Sequence, residues 1–365
     1  MNDAQNIRQL TSLRFFAAFW VVLFHYWPKL DVGFTPAVIE KGYLGVELFF
    51  ILSGFILCHV YRTSVEDGRF RYGSFLWARL ARVYPLHLAT LVGMGLLAGG
   101  AAVAGFAVDP NIASLEALPA NLLMIHAWGF APVAGWNHPS WSISAEWFAY
   151  LSFPLFAWAA LKLKHRPLTA LAGAVTALTA LYIGFEAVAG FPLTQATIHW
   201  GALRIVPCFA FGCALHAFWR ERPMKSAVSA LAGAAFFGAF ALGAADEGAP
   251  DAVIVTALGF VILFLAGLAQ TRSNLLGQAP LVYLGEISYS VYMVCVPWKI
   301  VFVNLTAKLL QIQDEKLPLN LWLVFLVGVI PLAAASYHFI EKPARDWMKL
   351  VAARKQPQRP GVARA

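Results

Sequence analysis

Long uninterrupted stretches of apolar side chains decide what this chain can fold into. Blocks at 10–27, 42–60, 83–106, 143–161, 168–190, 197–218, 226–245, 251–269, 281–305 and 318–339 are long enough to cross a bilayer, which takes about 20 apolar residues. Hydrocarbon offers backbone amides no hydrogen-bond partner, so each block has to satisfy its own amides as an α-helix. The weak alternation that marks a membrane β-barrel is absent. The expected fold class is therefore all-α, a polytopic transmembrane helical bundle of about ten spans. Composition agrees, with 60% of residues hydrophobic and 13% charged, against roughly half and roughly a quarter in soluble domains.

A formal charge of +8 invites a nucleic-acid partner, but the placement of the charge argues against one. Arg62, Arg69, Arg71, Arg79 and Arg82 follow the second block; Lys162, Lys164 and Arg166 the fourth; Arg220, Arg222 and Lys225 the sixth; Arg272 the eighth. The last block is followed by Lys342, Arg345, Lys349, Arg354, Lys355, Arg359 and Arg364, whereas the alternate gaps hold only Lys29, Lys41, Lys308 and Lys316. Basic residues gathered on one side are the positive-inside pattern, which places both termini in the cytoplasm and the protein in the cytoplasmic membrane, in contact with lipid and not with nucleic acid.

Cys58, Cys208, Cys213 and Cys295 fall in or beside apolar blocks without metal or disulfide spacing, so no metal site is expected. The first block contains Arg14 and His25 and has no small-residue cleavage site, which reads as a retained helix rather than a signal peptide. One membrane domain is expected over 1–345, with a basic, disordered cytoplasmic tail over 346–365. Interfacial helices are expected within 61–82 and at Leu115–Trp128, and Gly54 is a candidate for close helix approach.

A charge inside a span costs at least about 2.5 kcal/mol, so ionisable residues there are candidates for function. Arg14 and His25 are eleven residues apart, about 16 Å along one stripe of a helix. Glu47 and Glu146 each lie about one turn inside a span, at a depth expected to match His25. A carboxylate beside an imidazole raises its basicity and orients it as a general base, so His25, Glu47 and Glu146 form a candidate catalytic set. Glu146 also fits as a cap of its own helix after Ser142. At the opposite end Arg14, Arg79 and Arg82 gather guanidiniums suited to phosphates, although Arg-x-x-Arg also serves to anchor a helix to anionic lipid. Arg204 is a deep basic residue placed to orient Glu146 or a substrate, and Lys299 is close enough to the outer surface to snorkel.

These residues fall in motifs that resemble the acyltransferase 3 family of integral membrane acyltransferases. Leu13-Arg14-Phe15 followed by His25 is similar to its first-helix signature, and Gly45–Phe55 to its second. Arg79-Leu80-Ala81-Arg82-Val83-Tyr84-Pro85, Ser140–Glu146, Leu284–Tyr292 and Phe339–Pro343 complete the resemblance in order. It implies transfer of an acetyl or other short acyl group from acyl-CoA to a hydroxyl of a carbohydrate or glycolipid acceptor. It implies His25 as catalytic residue and Arg14, Arg79 and Arg82 at the donor; Ser142, Arg204 and Tyr292 are our candidates at the acceptor. The chain departs from the family at Glu47, where Asp is common, and at Cys295, where a histidine is frequent. The expected arrangement is one continuous tunnel from the arginines to His25, with His25 held by Glu47. The alternative from another class is a proton-coupled exporter, flippase or transmembrane acyl carrier using the same histidine and glutamates as a relay.

Overall fold

The computed structural model describes residues 7–105, 109–221, 233, 248–269, 275–312 and 315–354. Its order is α1 (Arg8–Tyr26), α2 (Gly45–Glu66), α3 (Tyr72–Val103), α4 (Trp141–Leu151), α5 (Phe153–Lys162), α6 (Pro167–Ala189), α7 (Gly201–Glu221), α8 (Asp251–Leu268), α9 (Ala279–Glu286), α10 (Ser288–Leu310), α11 (Leu319–Ser336) and α12 (Lys342–Arg354). Among the described residues eight helices are long and apolar enough to cross a membrane, and the protein is an all-α polytopic bundle. The block at 226–245 lies outside the described residues. The block at 143–161 is two shorter helices, because Pro154 has no N–H to continue the ladder and the chain turns at Ser152.

Apolar groups point outward and polar ones inward, as a bilayer demands. Val103 and Val188 are each 91% exposed and Phe339 81%, whereas Glu47, Arg204, His126 and Ser144 are buried. Such a surface is stable only where lipid covers it. Packing is tightest where α2 crosses α7. A Cβ added at Gly54 would overlap the carbonyl oxygen of Phe209, and one at Gly212 would overlap that of Ile51. The two glycines let the backbones meet, as expected for Gly54 from sequence.

Three segments differ from the sequence reading. The interfacial helix expected within 61–82 is instead the start of α3, which carries Arg79 and Arg82 on a continuous helix. Leu115–Trp128 forms only a short helix, Leu118–Leu122, and a 3-10 turn, His126–Trp128. This stretch and the turn His138–Ser140 dip into the bundle, since His126, Asn137 and Ser140 are all buried. Finally, α12 carries ordered helix past position 346 to Arg354; the Trp77 indole on α3 donates to the Met348 carbonyl at 2.9 Å and pins it. Positions 355–365 of the expected tail lie outside the described residues. A π-helical turn, Tyr337–Glu341, links α11 to α12 and turns Glu341 into the bundle.

Candidate active site

Two adjoining cavities lie inside the bundle, with Val46 and Tyr292 in the walls of both. The first, about 100 Å³, is lined by Arg14 of α1, Ser53 of α2, Arg79 and Arg82 of α3, and Ser142 and Glu146 of α4. Arg79 is held by cation–π contacts to Tyr61 and Tyr150, at 5.7 and 6.0 Å to the ring centres. Arg82 faces the buried carboxylate of Glu341 at 3.9 Å, and Glu341 also accepts from Ser290 Oγ at 2.8 Å. Among the described residues Arg79 Nε and Arg82 Nη2 are buried donors without an acceptor. Buried guanidinium donors left unpaired are costly, and an anion in this cavity would satisfy them.

The second cavity, about 370 Å³, is lined by His25, Tyr43, His138, Thr194, Arg204 and Tyr292, among others. Among the described residues neither the His25 nor the His138 imidazole has a hydrogen-bond partner, and Lys299 lies near enough to act electrostatically on both. Burial, then the Lys299 ammonium, holds His138 below the ordinary imidazole pKa. The remaining polar groups are largely committed. Tyr43 and Thr194 donate to Asp251, which Lys41 also holds at 2.9 Å. A third cavity of about 240 Å³ shares Tyr43, Thr194 and Gln195 with the second and is bounded by Lys41, Glu186 and Asp251.

The catalytic set expected from sequence is divided between these spaces. His25 lines the second cavity. Glu47 is fully buried and faces Arg204, which donates to it through Nε and, at 2.9 Å, through Nη2. The remaining contacts of Arg204 are the Ala196 carbonyl at 2.9 Å and the Trp141 ring at 4.6 Å. Glu47 therefore holds Arg204, and through it the cavity wall, rather than the ring of His25. Glu146 accepts from Ser53 and lines the arginine cavity. In the structure α4 follows directly on the turn His138–Ser140, whose Ser140 is buried, and Glu146 on it lines the cavity of the arginines.

The single tunnel is also divided. Val46 and Tyr292 line both cavities and stand between them. The Tyr292 hydroxyl accepts from Ser142 Oγ at 2.9 Å and donates to the Pro139 carbonyl at 3.0 Å. Cys295, where the family often has histidine, is buried, and its thiol donates to the Tyr292 carbonyl at 3.1 Å. Sequence reading missed His138 and Glu341. Both lay within or beside quoted motifs, but only the path of the loop and the π-helical turn show where they face.

Fold and site together define a multi-pass membrane protein with a histidine-lined cavity adjoining an arginine-lined one. The family model described as "Acyltransferase domain" matches residues 7–338, and the chain belongs to this family, the acyltransferase 3 family of its motifs. It is similar to Acyltransferase MdmB of Streptomyces mycarofaciens, with 31% identity over 78% of this chain and 77% of that protein. It is 24% identical to Peptidoglycan O-acetyltransferase OatA of Listeria monocytogenes over 93% of this chain and 56% of that protein. The match to O-acetyltransferase OatA of Staphylococcus aureus is also 24%, over 92% and 57%; the chain thus spans little more than half the length of either OatA. No solved structure matches the chain. The protein is a membrane-embedded O-acyltransferase.

Proposed function

We propose that the protein moves an acetyl or other short acyl group from an acyl-CoA thioester to a hydroxyl of a carbohydrate or glycolipid. The observation that carries this reading is the meeting of the two cavities at Val46 and Tyr292, with unpaired arginine donors on one side and the free imidazole of His25 on the other. A coenzyme A thioester has that polarity, a phosphate-rich head and a thin arm ending in the reactive carbonyl. Arg14, Arg79 and Arg82 bind the phosphates from the cytoplasm, where the basic loops and both termini lie. The arm reaches the partition, and the acceptor hydroxyl enters the His25 cavity through the third cavity. His25 takes the hydroxyl proton as the oxygen attacks the thioester carbon, and the thiolate leaves with its electron pair. Glu146, hydrogen-bonded to Ser53, balances the charge of the arginines. Ser142 and Tyr292 position the thioester at the partition, and the Glu47–Arg204 pair keeps the acceptor cavity open. A carbohydrate acceptor is supported by the relatives named O-acetyltransferase, one of them for peptidoglycan. Residues 1–345 form the catalytic domain in this reading, and the basic stretch from 346 faces the cytoplasm.

The test is purified protein in detergent with acetyl-CoA carrying a radiolabelled acetyl group. Thioester cleavage that disappears in His25→Ala, with acetyl-CoA still bound, is the expected result. Near-normal cleavage in His25→Ala refutes the assignment, and no cleavage by the unaltered protein, beside substrate efflux from vesicles, favours the transport reading.

A further inference from the structure

The proposed reaction leaves one requirement unmet by the residues assigned so far. When the acceptor oxygen bonds to the thioester carbon, the carbonyl oxygen becomes an oxyanion and needs a preorganised donor. Arg204 is the obvious cation in the cavity wall, but Glu47, the Ala196 carbonyl and the Trp141 ring already hold it. Tyr43, Thr194 and Tyr292 likewise direct their hydroxyl protons at protein acceptors. Gln195 is exposed, at the edge shared with the third cavity.

His138 is different. The residues around it are each anchored: the Asn137 side-chain amide donates to the Met293 carbonyl at 2.9 Å, the Pro139 carbonyl accepts from Tyr292 at 3.0 Å and Ser142 at 3.1 Å, and Ser140 Oγ pairs with His126 Nε2 at 3.1 Å. Trp136, just before this turn, holds the left-handed φ of 58°, a conformation that a non-glycine residue keeps only when its surroundings enforce it. Within this clamped run the His138 imidazole lines the His25 cavity with no hydrogen-bond partner among the described residues. It stands beside the partition, because the next residue supplies the carbonyl that fixes Tyr292.

We propose that His138 is a catalytic residue whose N–H donates to the carbonyl oxygen of the tetrahedral intermediate while His25 takes the proton of the attacking hydroxyl. This rests on the acyl-transfer reading above. The oxygen–carbon bond forms, His138 holds the negative oxygen, the carbonyl reforms, and the carbon–sulfur bond breaks with its electron pair leaving on sulfur. A donor of this kind works as a neutral imidazole, and burial with Lys299 nearby keeps His138 in that state. The titratable groups coupled to it are Lys299, His25 and His126, and no carboxylate is among them.

The experiment uses membranes from cells that carry the protein, acetyl-CoA with radiolabelled acetyl, and base-labile label in the carbohydrate fraction as readout. His138→Ala is expected to lower turnover about 100- to 1,000-fold, the usual effect of losing one oxyanion donor. Acetyl-CoA binding should stay within about twofold and the rate profile against pH should keep its shape. His138→Asn and His138→Gln, which retain an N–H, should recover at least about tenfold over alanine. Turnover of His138→Ala within twofold of the unaltered protein, beside an inactive His25→Ala, overturns the proposal and leaves the acyl-transfer reading standing. So does a displaced pH profile, or amide variants no better than alanine at equal thermal stability. Should the alanine variant fail to fold, the amide variants decide: activity below a thousandth of normal in folded protein refutes a donor role. Absence of any label transfer by the unaltered protein defeats the underlying reading instead.

Discussion

The Glu47–Arg204 pair shows how one buried interaction serves the site without touching the reacting atoms. Two charges removed from water stabilise each other only with good geometry, and this pair is bidentate and fully enclosed. Removing one partner strands the other, so Glu47→Gln or Arg204→Met is expected to cost about 3–5 kcal/mol of stability. Glu47→Leu with Arg204→Met should cost markedly less than the sum, and thermal unfolding in detergent across the double-mutant cycle measures this coupling. At the opposite cavity Arg79→Ala with Arg82→Ala should weaken acetyl-CoA binding by about 100-fold or more, two charge-assisted contacts at about 1.5–3 kcal/mol each setting the scale. Isothermal titration or filter binding checks it, and unchanged affinity would remove these arginines from the donor site.

Among the elements, the α2–α7 crossing and the dipping loop carry the architecture. Gly54→Ala or Gly212→Ala pushes a methyl into a facing carbonyl and should destabilise by about 1–3 kcal/mol through forced separation, read as a lower unfolding temperature. In the loop, His126 is buried against His87 and Ser140, and burial first, then His87, pushes its pKa down to about 3. The unfolded chain therefore binds the proton more readily than the folded one between about pH 6.5 and 3. The His126 contribution is fully favourable above pH 6.5 and is lost as pH falls, by about 1.4 kcal/mol per unit. His126→Gln should flatten the decline of unfolding temperature between pH 6.5 and 5; an unchanged slope would assign the decline to other groups.

For the molecule as a whole, Val46 and Tyr292 stand in the walls of both cavities, and in the proposed reaction they separate the donor side from the acceptor side. Tyr292→Phe keeps the ring but loses the hydroxyl that anchors it to the Pro139 carbonyl, about 1 kcal/mol of fixation. Acetate released to water should then rise about fivefold relative to acetyl transferred to carbohydrate, and an unchanged ratio would deny the partition a role in keeping water out. The helical membrane fold, the buried arginines and the histidine of α1 were all legible in the chain, because a bilayer admits only self-satisfied helices and penalises every charge within them. Which residues would meet was not legible. Depth along a span can be counted from its end only if that end lies at the surface, and α4 follows directly on a loop whose Ser140 is buried. That single departure moved Glu146 to the arginines, and the helix faces gave Glu47 to Arg204. The same loop set His138 opposite His25, a pairing of residues more than a hundred positions apart that no local pattern encodes.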